Sequence, residues 1–403
     1  MPGIEGSRCL YWTQSGHEET LCFRAGIINR VVARVFALVI WSLSLAWLGG
    51  TTVCALLQPL RRRIGNSGFD RQPITVVVPT CAVNSLRSVQ ERRQTLASLL
   101  DVIYPDYEIV VCIDRANRSE SVLNDVEALF GTRGVRTTIA EQEVSPNPKI
   151  DAMQTGLRQA RNELILFCDD DVSVNRMHLD HLMFHLKGTI QLVSAAAFGV
   201  GAKNLWGHLE CSFMNGQFAR LHLAGDCIGF SGALGKTVLI RRAELESAGG
   251  LLPAGADCCE DAALTRIIKK AGGHVVLSDL PVRQPIGELG LLDVLRRHRR
   301  WLSCRRKYVP LLFVAEGLFS AVVAAIAGSV AAEEYSVGWL RGGIGTLAFW
   351  CLVDTLFATW HGYFAWATPL TWFIRELAFV PLWFSALFAR TVTWYGRPVP
   401  VST

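Results

Sequence analysis

The chain has 403 residues, half of them hydrophobic and 19% charged, with a formal net charge of +5. An average soluble protein carries about 25% charged residues, and here the deficit is confined to two regions, which excludes a uniformly water-soluble chain. The basic residues flank apolar runs, a pattern that suits anionic lipid and argues against nucleic-acid binding.

Residues 1–34 form an N-terminal segment containing Arg24, Arg30 and Arg34. Residues 35–60 contain no charged side chain, and roughly 20 apolar helical residues cross a bilayer. A cleaved signal peptide fits poorly: the run is too long, too far from Met1, and followed by no small-residue cleavage site. A retained transmembrane anchor is expected.

Residues 61–295 have ordinary charge and read as a water-soluble domain. Ile74–Val78 is an apolar run of strand length, followed by a helix-like stretch over Ser88–Leu100. Tyr107–Ile113 is a second strand, ending at Asp114 and followed by a helical pattern over Ser121–Phe130. Glu163–Cys168 is a third, ending in Asp169, Asp170 and Asp171. Strands that alternate with helices imply a parallel sheet, and near-continuous apolar runs imply that both its faces are covered. Ligands bind outside the carboxyl ends of such strands. The arrangement is Rossmann-like, although no GxGxxG follows any strand.

If the third strand continues, Asp169 and Asp171 share a side. Two carboxylates aimed the same way suit a hard divalent cation, Mg2+ or Mn2+, which also ligates the phosphates of a substrate. Asp114 suits a ribose or uracil hydrogen bond, or an N-cap of the following helix. Lys149, in Asn147-Pro148-Lys149, suits a phosphate or plain solvent exposure. Glu260 and Asp261 open a helix that Gly272–Gly273 ends, and the residues alone favour Asp261 as its N-cap.

Residues 296–308 contain seven Lys/Arg and a Trp, a composition ordinary at a membrane interface. Residues 309–389 are apolar, with charges at Glu316, Asp354 and Arg375–Glu376; residues 390–403 form a short tail. Charges at membrane depth need partners or water, and Arg375–Glu376 reads either as an interfacial break or as half of a buried ion-pair set. The Lys/Arg excess ahead of residue 309 places the soluble domain in the cytoplasm. The 12 cysteines lack disulfide or zinc spacing, so reduced, mostly buried thiols are expected.

Taken in order, these segments resemble one family. YPDYEIVVCID, NPKIDAM, FCDDD, GFSGALGKTVLIRRAELESAGG, the Glu260–Asp261 pair, RHRRW and the run from Thr371 to Trp394 resemble glycosyltransferases of GT-A fold, and ceramide glucosyltransferases in particular. The likeness runs from about the first anchor to the C-terminus. After the first strand, PTCAVNS stands where eukaryotic relatives have a lysine-containing segment.

The resemblance implies an α/β GT-A domain, Rossmann-like with a mostly parallel sheet, between one N-terminal and two to three C-terminal transmembrane or interfacial helices. It assigns Asp114, Lys149, Asp169 and Arg297 to the donor, Asp169 and Asp171 to the metal, and Asp261, Arg300 and Trp301 to catalysis. The expected reaction is inverting transfer of a hexose, most simply glucose, from a UDP-sugar to a ceramide-like lipid hydroxyl. Hexose transfer to diacylglycerol and N-acetylglucosamine transfer to a hopanoid share the same motifs. A processive polysaccharide synthase would carry more membrane segments, and an inert membrane scaffold or transporter would lack at least one site residue.

Overall fold

The computed structural model describes residues 9–61, 69–80, 89–114, 135–140, 143–257, 259–334, 338–394 and 397–401. The helical pattern at Ser121–Phe130 lies outside them. The described chain divides into two compact units, residues 1–48 with 318–350, and residues 49–317 with 351–403.

Helix α1 (Cys9–Arg61) runs from the first unit into the second. The sheet domain follows with β1 (Ile74–Thr80), α2 (Val89–Leu100), β2 (Tyr107–Asp114), β3 (Arg136–Ala140), α3 (Pro148–Gln159) and β4 (Leu164–Cys168). It continues through α4 (His178–His185), β5 (Ile190–Ser194), β6 (Ala197–Ala202), α5 (Leu205–Ser212), a π-helical turn (Phe213–Phe218) and α6 (Ala219–Cys227). Next come β7 (Thr237–Arg241), α7 (Arg242–Ser247), α8 (Glu260–Lys270), β8 (His274–Leu277), β9 (Val282–Gly287) and α9 (Leu291–Tyr308). The C-terminal region holds α10 (Pro310–Leu318), α11 (Ala321–Glu334), α12 (Trp339–Trp360), α13 (Thr368–Leu387) and the hairpin β10 (Thr391–Trp394) with β11 (Arg397–Pro400).

Seven strands form one sheet in the order β3-β2-β1-β4-β7-β5-β8. The β3-β2-β1-β4 half is parallel, as the apolar runs predict, and β7 enters antiparallel between β4 and β5. Ile74, Val76 and Val78 of β1 join one apolar cluster while Val77 joins the cluster on the other face. Both faces are therefore covered, which is why these strands lack a polar alternation. Helix α3 lies close on one face: a Cβ on Gly156 would strike the side chains of Val77 and Cys112. The topology puts the carboxyl ends of β1, β2 and β4 at one sheet edge, where Asp114 and Asp169 fall.

Among the described residues, three helices are long and apolar enough to cross a membrane: Arg30–Arg61, Trp339–Trp360 and Thr368–Leu387. Pro310–Leu318 with Ala321–Glu333 would make a fourth as one broken span. Within the second unit, α13 supplies Phe379, Leu382 and Ala386 to the same apolar cluster as one face of the sheet. Helix α9 joins that cluster through Val294 and Leu302, so the basic RHRRW helix sits between sheet domain and apolar helix. Its cations bond to protein: Arg305 to Glu316 at 2.7 Å, Lys307 to Asp257 at 2.8 Å, and Arg299 to Ser385 Oγ at 2.6 Å.

The charges of the apolar region are resolved as a buried ion-pair set. Arg375 donates to Asp354 (2.6 Å), to its neighbour Glu376 (2.9 Å from Nε) and to the Ser212 carbonyl (2.9 Å). Asp354 also takes Arg220 and the Trp372 indole, the latter at 2.9 Å. The short C-terminal tail is folded too, as the β10–β11 hairpin.

Candidate active site

The site is built around the end of β4. Antiparallel pairing sets Cys168 opposite Thr237, and the Asp169 amide donates to the Lys236 carbonyl at 2.9 Å. That register brings Lys236 beside the acidic triplet. Its ammonium lies 3.2 Å from Asp169 Oδ2 and 2.8 Å from each Asp171 carboxylate oxygen. Gln284 of β9 donates to Asp171 Oδ2 at 2.8 Å. The strand ends at Cys168 and residues 170–171 form a turn. The two carboxylates therefore converge on the Lys236 ammonium through that turn and not through the alternation of a continuing strand.

Lys149 closes the other side. Asn147 caps α3 by accepting from the Lys149 amide, and Pro148 opens the helix with its φ already fixed. The Lys149 ammonium then meets Asp169 Oδ1 at 2.7 Å, Glu260 at 2.8 Å and the Gly235 carbonyl at 3.1 Å. Burial alone would lower its pKa, but Asp169 and Glu260 outweigh that and hold it well above the ordinary lysine value. It is a fixed positive charge.

Glu260 and Asp261 occupy the first turn of α8, where carboxylates are favoured by the helix dipole. The N-cap is Cys259 and its side chain makes no capping bond, so Asp261 is not the N-cap that its sequence position suggests. Instead Asp261 Oδ2 accepts from the Gly235 amide at 3.0 Å and Oδ1 from the Ala262 amide at 2.8 Å. Burial, and then the charge of Glu260, raise its pKa, against an opposing pull from Lys149. Burial would raise Glu260 as well, but Lys149 beside it brings it below the usual range. The neighbouring carboxylates are pushed apart, the environment that separates an acid/base group from a structural one. Gly235 packs closely here: a Cβ would sit 3.3 Å from Lys149 Nζ and 3.4 Å from Asp261.

Helix α9 brings the remaining predicted residues. Arg297 pairs with buried Glu210 at 2.9 Å, while Asp171 adds to the field that raises its pKa. Burial would raise Glu210, but Arg297 and His298 bring it down to about 2. Arg300 exerts a favourable charge interaction on Glu260. Trp301 stacks on Phe218 of the π-helical turn, with ring centroids 4.7 Å apart. Asp169, Asp171, Lys149, Asp261, Arg297 and Arg300 thus belong to one electrostatic neighbourhood. Asp114 ends β2 in register with Ala140, at the same sheet edge.

Lys236, Gln284 and Glu210 receive no role from the sequence alone. Lys236 had a weak signal, a lysine just before an apolar strand, but an expectation of parallel pairing hides its position opposite Asp169.

The cysteine expectation is corrected at Cys259 and Cys304, which form a disulfide. Sequence spacing misses the pair because 45 residues separate them, and packing of α9 beside the start of α8 brings them together. Val392, Val399 and Val401 of the C-terminal hairpin region cover the bond. Closing a loop of that length removes unfolded-chain entropy worth about 4 kcal/mol in the loop-closure model. A Cys259→Ser/Cys304→Ser variant is expected to melt at lower temperature and to be insensitive to reductant. Equal melting of the oxidised wild type and the variant would remove the disulfide as a stabilising element.

A separate cavity of about 200 Å3 lies between β6, the π-helical turn and the α12–α13 connection, lined by Gly199, His208, Asn215, Thr368, Trp372 and Arg375 among others. Gly199 pairs with Gln284, whose amide holds Asp171, so its wall adjoins the carboxylate site by one strand register.

No group of three or more His, Cys, Asp or Glu side chains among the described residues forms a closed metal site. An open pair of carboxylates still fits Mg2+ or Mn2+ when phosphate oxygens complete the shell, and Asp169 with Asp171 is such a pair, already bridged by one cation.

A family model for glycosyl transferase family 21 matches residues 39–403. The chain is 23% identical over 329 residues to ceramide glucosyltransferase 1 of Caenorhabditis elegans, covering 77% of this chain and 68% of that protein. Ceramide glucosyltransferase 3 of the same organism is 22% identical over 230 residues, 56% of this chain and 50% of that protein. Among solved structures, the mannosyltransferase PcManGT from Pyrobaculum calidifontis, in complex with GDP-Man and Mn2+, is similar in fold. Its TM-score is 0.51 at 16% identity, with 87% of this chain and 98% of that chain covered. A match over this much of its length identifies the chain as a member of glycosyl transferase family 21, a ceramide glucosyltransferase-like membrane glycosyltransferase.

Proposed function

We propose that the enzyme transfers a hexose, most simply glucose, from a UDP-sugar to the hydroxyl of a ceramide-like lipid, with inversion at the anomeric carbon. The reading rests chiefly on one observation. Lys149 bonds at once to Asp169 of the acidic strand end and to Glu260 beside Asp261, joining a phosphate-binding charge cluster to a buried carboxylate.

The fields of Lys149, Arg297 and Arg300 act on the diphosphate of the donor and offset the charge that develops as the sugar leaves. Mg2+ or Mn2+ on Asp169 and Asp171, when bound, adds Lewis-acid stabilisation of the leaving phosphate. Asp114 is the proposed contact for the nucleoside. Asp261 accepts the proton of the acceptor hydroxyl, which is a poor nucleophile until that proton is taken. Attack from the face opposite the leaving group gives a β-linked product from an α-linked donor. Trp301, stacked on Phe218, supports Arg300 and shapes the acceptor side.

A membrane acceptor suits this architecture because an acyl chain leaves lipid at a cost of about 0.8 kcal/mol per CH2, while α13 and the catalytic domain share one core. The Lys/Arg excess ahead of the second apolar region supports a cytoplasmic catalytic domain.

Membranes containing the protein, supplied with labelled UDP-glucose, UDP-galactose or UDP-N-acetylglucosamine and with ceramide, diacylglycerol or a hopanoid, test the reading. The expected product is a β-hexosylceramide from UDP-glucose. Label only in diacylglycerol or hopanoid transfers the reading to that acceptor, an α-linked product removes inversion, and label in no lipid overturns it.

A further inference from the structure

Each carboxylate that would receive the divalent cation already carries an ammonium group. The two lysines involved differ in kind. Lys149 is nearly sealed, with 8% of its side chain exposed, and it bonds to a carboxylate on each side and to a backbone carbonyl. Lys236 has 20% of its side chain exposed, and its described contacts are with Asp169 and Asp171 alone. Asp171 is itself 24% exposed, so this side of the cluster is the one open to an incoming ion.

We propose that Lys236 is a tethered cation: its ammonium lies between Asp169 and Asp171 at the position the divalent metal would take, and it is exchanged for the metal when the metal and the nucleotide diphosphate bind. This rests on the reading that Asp169 and Asp171 hold the metal. The Lys236 ammonium bridges Asp169 Oδ2 and both oxygens of Asp171. A divalent ion ligated to the same carboxylates would lie almost upon the ammonium, and charge repulsion forbids both at once. A lysine stem is flexible and its ammonium is a compact point charge, so the chain can release it without moving β7. While in place, it neutralises the like charges of the strand end and keeps adventitious cations off them. Exchange ties metal uptake to arrival of the donor, since the incoming diphosphate supplies the ligands that favour the metal over the ammonium.

The test uses the full-length protein in detergent or nanodiscs, without donor, with free Mn2+ followed by electron paramagnetic resonance. Lys236→Met keeps the length of the stem and removes the charge, and it is expected to bind Mn2+ at least tenfold more tightly than wild type. Lys236→Gln serves as a second neutral variant should Met disturb folding, which a thermal melt reports, and Lys236→Arg should stay as weak as wild type. Adding Asp171→Asn to Lys236→Met should abolish the gain. Equal or weaker Mn2+ binding by both neutral variants overturns the exchange and leaves the metal reading standing. If neither wild type nor variant binds Mn2+ even with UDP present, the metal reading itself falls and the exchange with it.

Discussion

Asp261→Asn is expected to lower kcat by about 10²–10⁴-fold, the range typical for loss of a general base, while UDP still protects the protein against thermal unfolding. The change preserves size and keeps one oxygen that can accept from a backbone amide, but Gly235 and Ala262 donate to the two separate oxygens. The Asn NH2 therefore faces one of those N–H groups, and a thermal melt must separate that local cost from loss of the proton acceptor. A base is useful when its pKa approaches the working pH, and burial together with the adjacent Glu260 moves Asp261 in that direction. The sign of the pH dependence follows. A raised pKa keeps Asp261 protonated in mild acid, where an ordinary aspartate is ionised, so kcat/KM should fall on the acid side below that raised value. Glu260→Gln removes the like charge, and also frees Lys149 from one partner, so the acid limb should move to lower pH. Loss of UDP binding in Asp261→Asn would put the residue on the donor side. An acid limb that moves up in Glu260→Gln would reject the electrostatic coupling.

The parts of this site that the sequence made legible are those set by short-range pattern. The apolar runs of β1, β2 and β4 follow from burial on both faces, and the acidic triplet marks the end of β4, although Asp171 reaches its place through a turn and not by the strand period. What stayed hidden depends on a partner distant in the chain. Lys236 faces Asp169 only because β7 is antiparallel to β4, and a sequence of alternating strands and helices gives no sign of that reversal. Cys259 meets Cys304 through the packing of two helices. Asp261 shows a different failure: acidic residues at a helix start usually serve as caps, and its bond to the Gly235 amide comes from a loop 26 residues away. The order of motifs supplied the proposed role of Asp261, and its buried, Glu260-adjacent environment is compatible with that role.

The largest effect on stability is expected at Arg375, where the apolar region meets the sheet domain. The sequence left Arg375–Glu376 open between an interfacial break and a buried ion pair, and the second holds: Arg375 is 1% exposed and bonds to Asp354, Glu376 and the Ser212 carbonyl. Replacing a buried pair wholesale is often neutral, but removing one partner strands a buried charge and costs about 3–5 kcal/mol. Arg375→Leu strands Glu376, and leaves Asp354 with Arg220 and Trp372 only. The variant should therefore melt well below wild type in detergent, and adding Glu376→Gln should recover part of the loss by discharging the stranded group. Gly216→Ala tests the same contact from the other side. Its new Cβ would fall on the Arg375 guanidinium, so either the guanidinium gives up its bonds and turns into the adjoining cavity or the π-helical turn that carries Phe218 shifts. Phe218 stacks on Trp301, so Gly216→Ala should reduce transfer more than it reduces nucleotide binding. Melting of Arg375→Leu within 1 °C of wild type would mean that water already reaches this cluster and that the charges are not sealed.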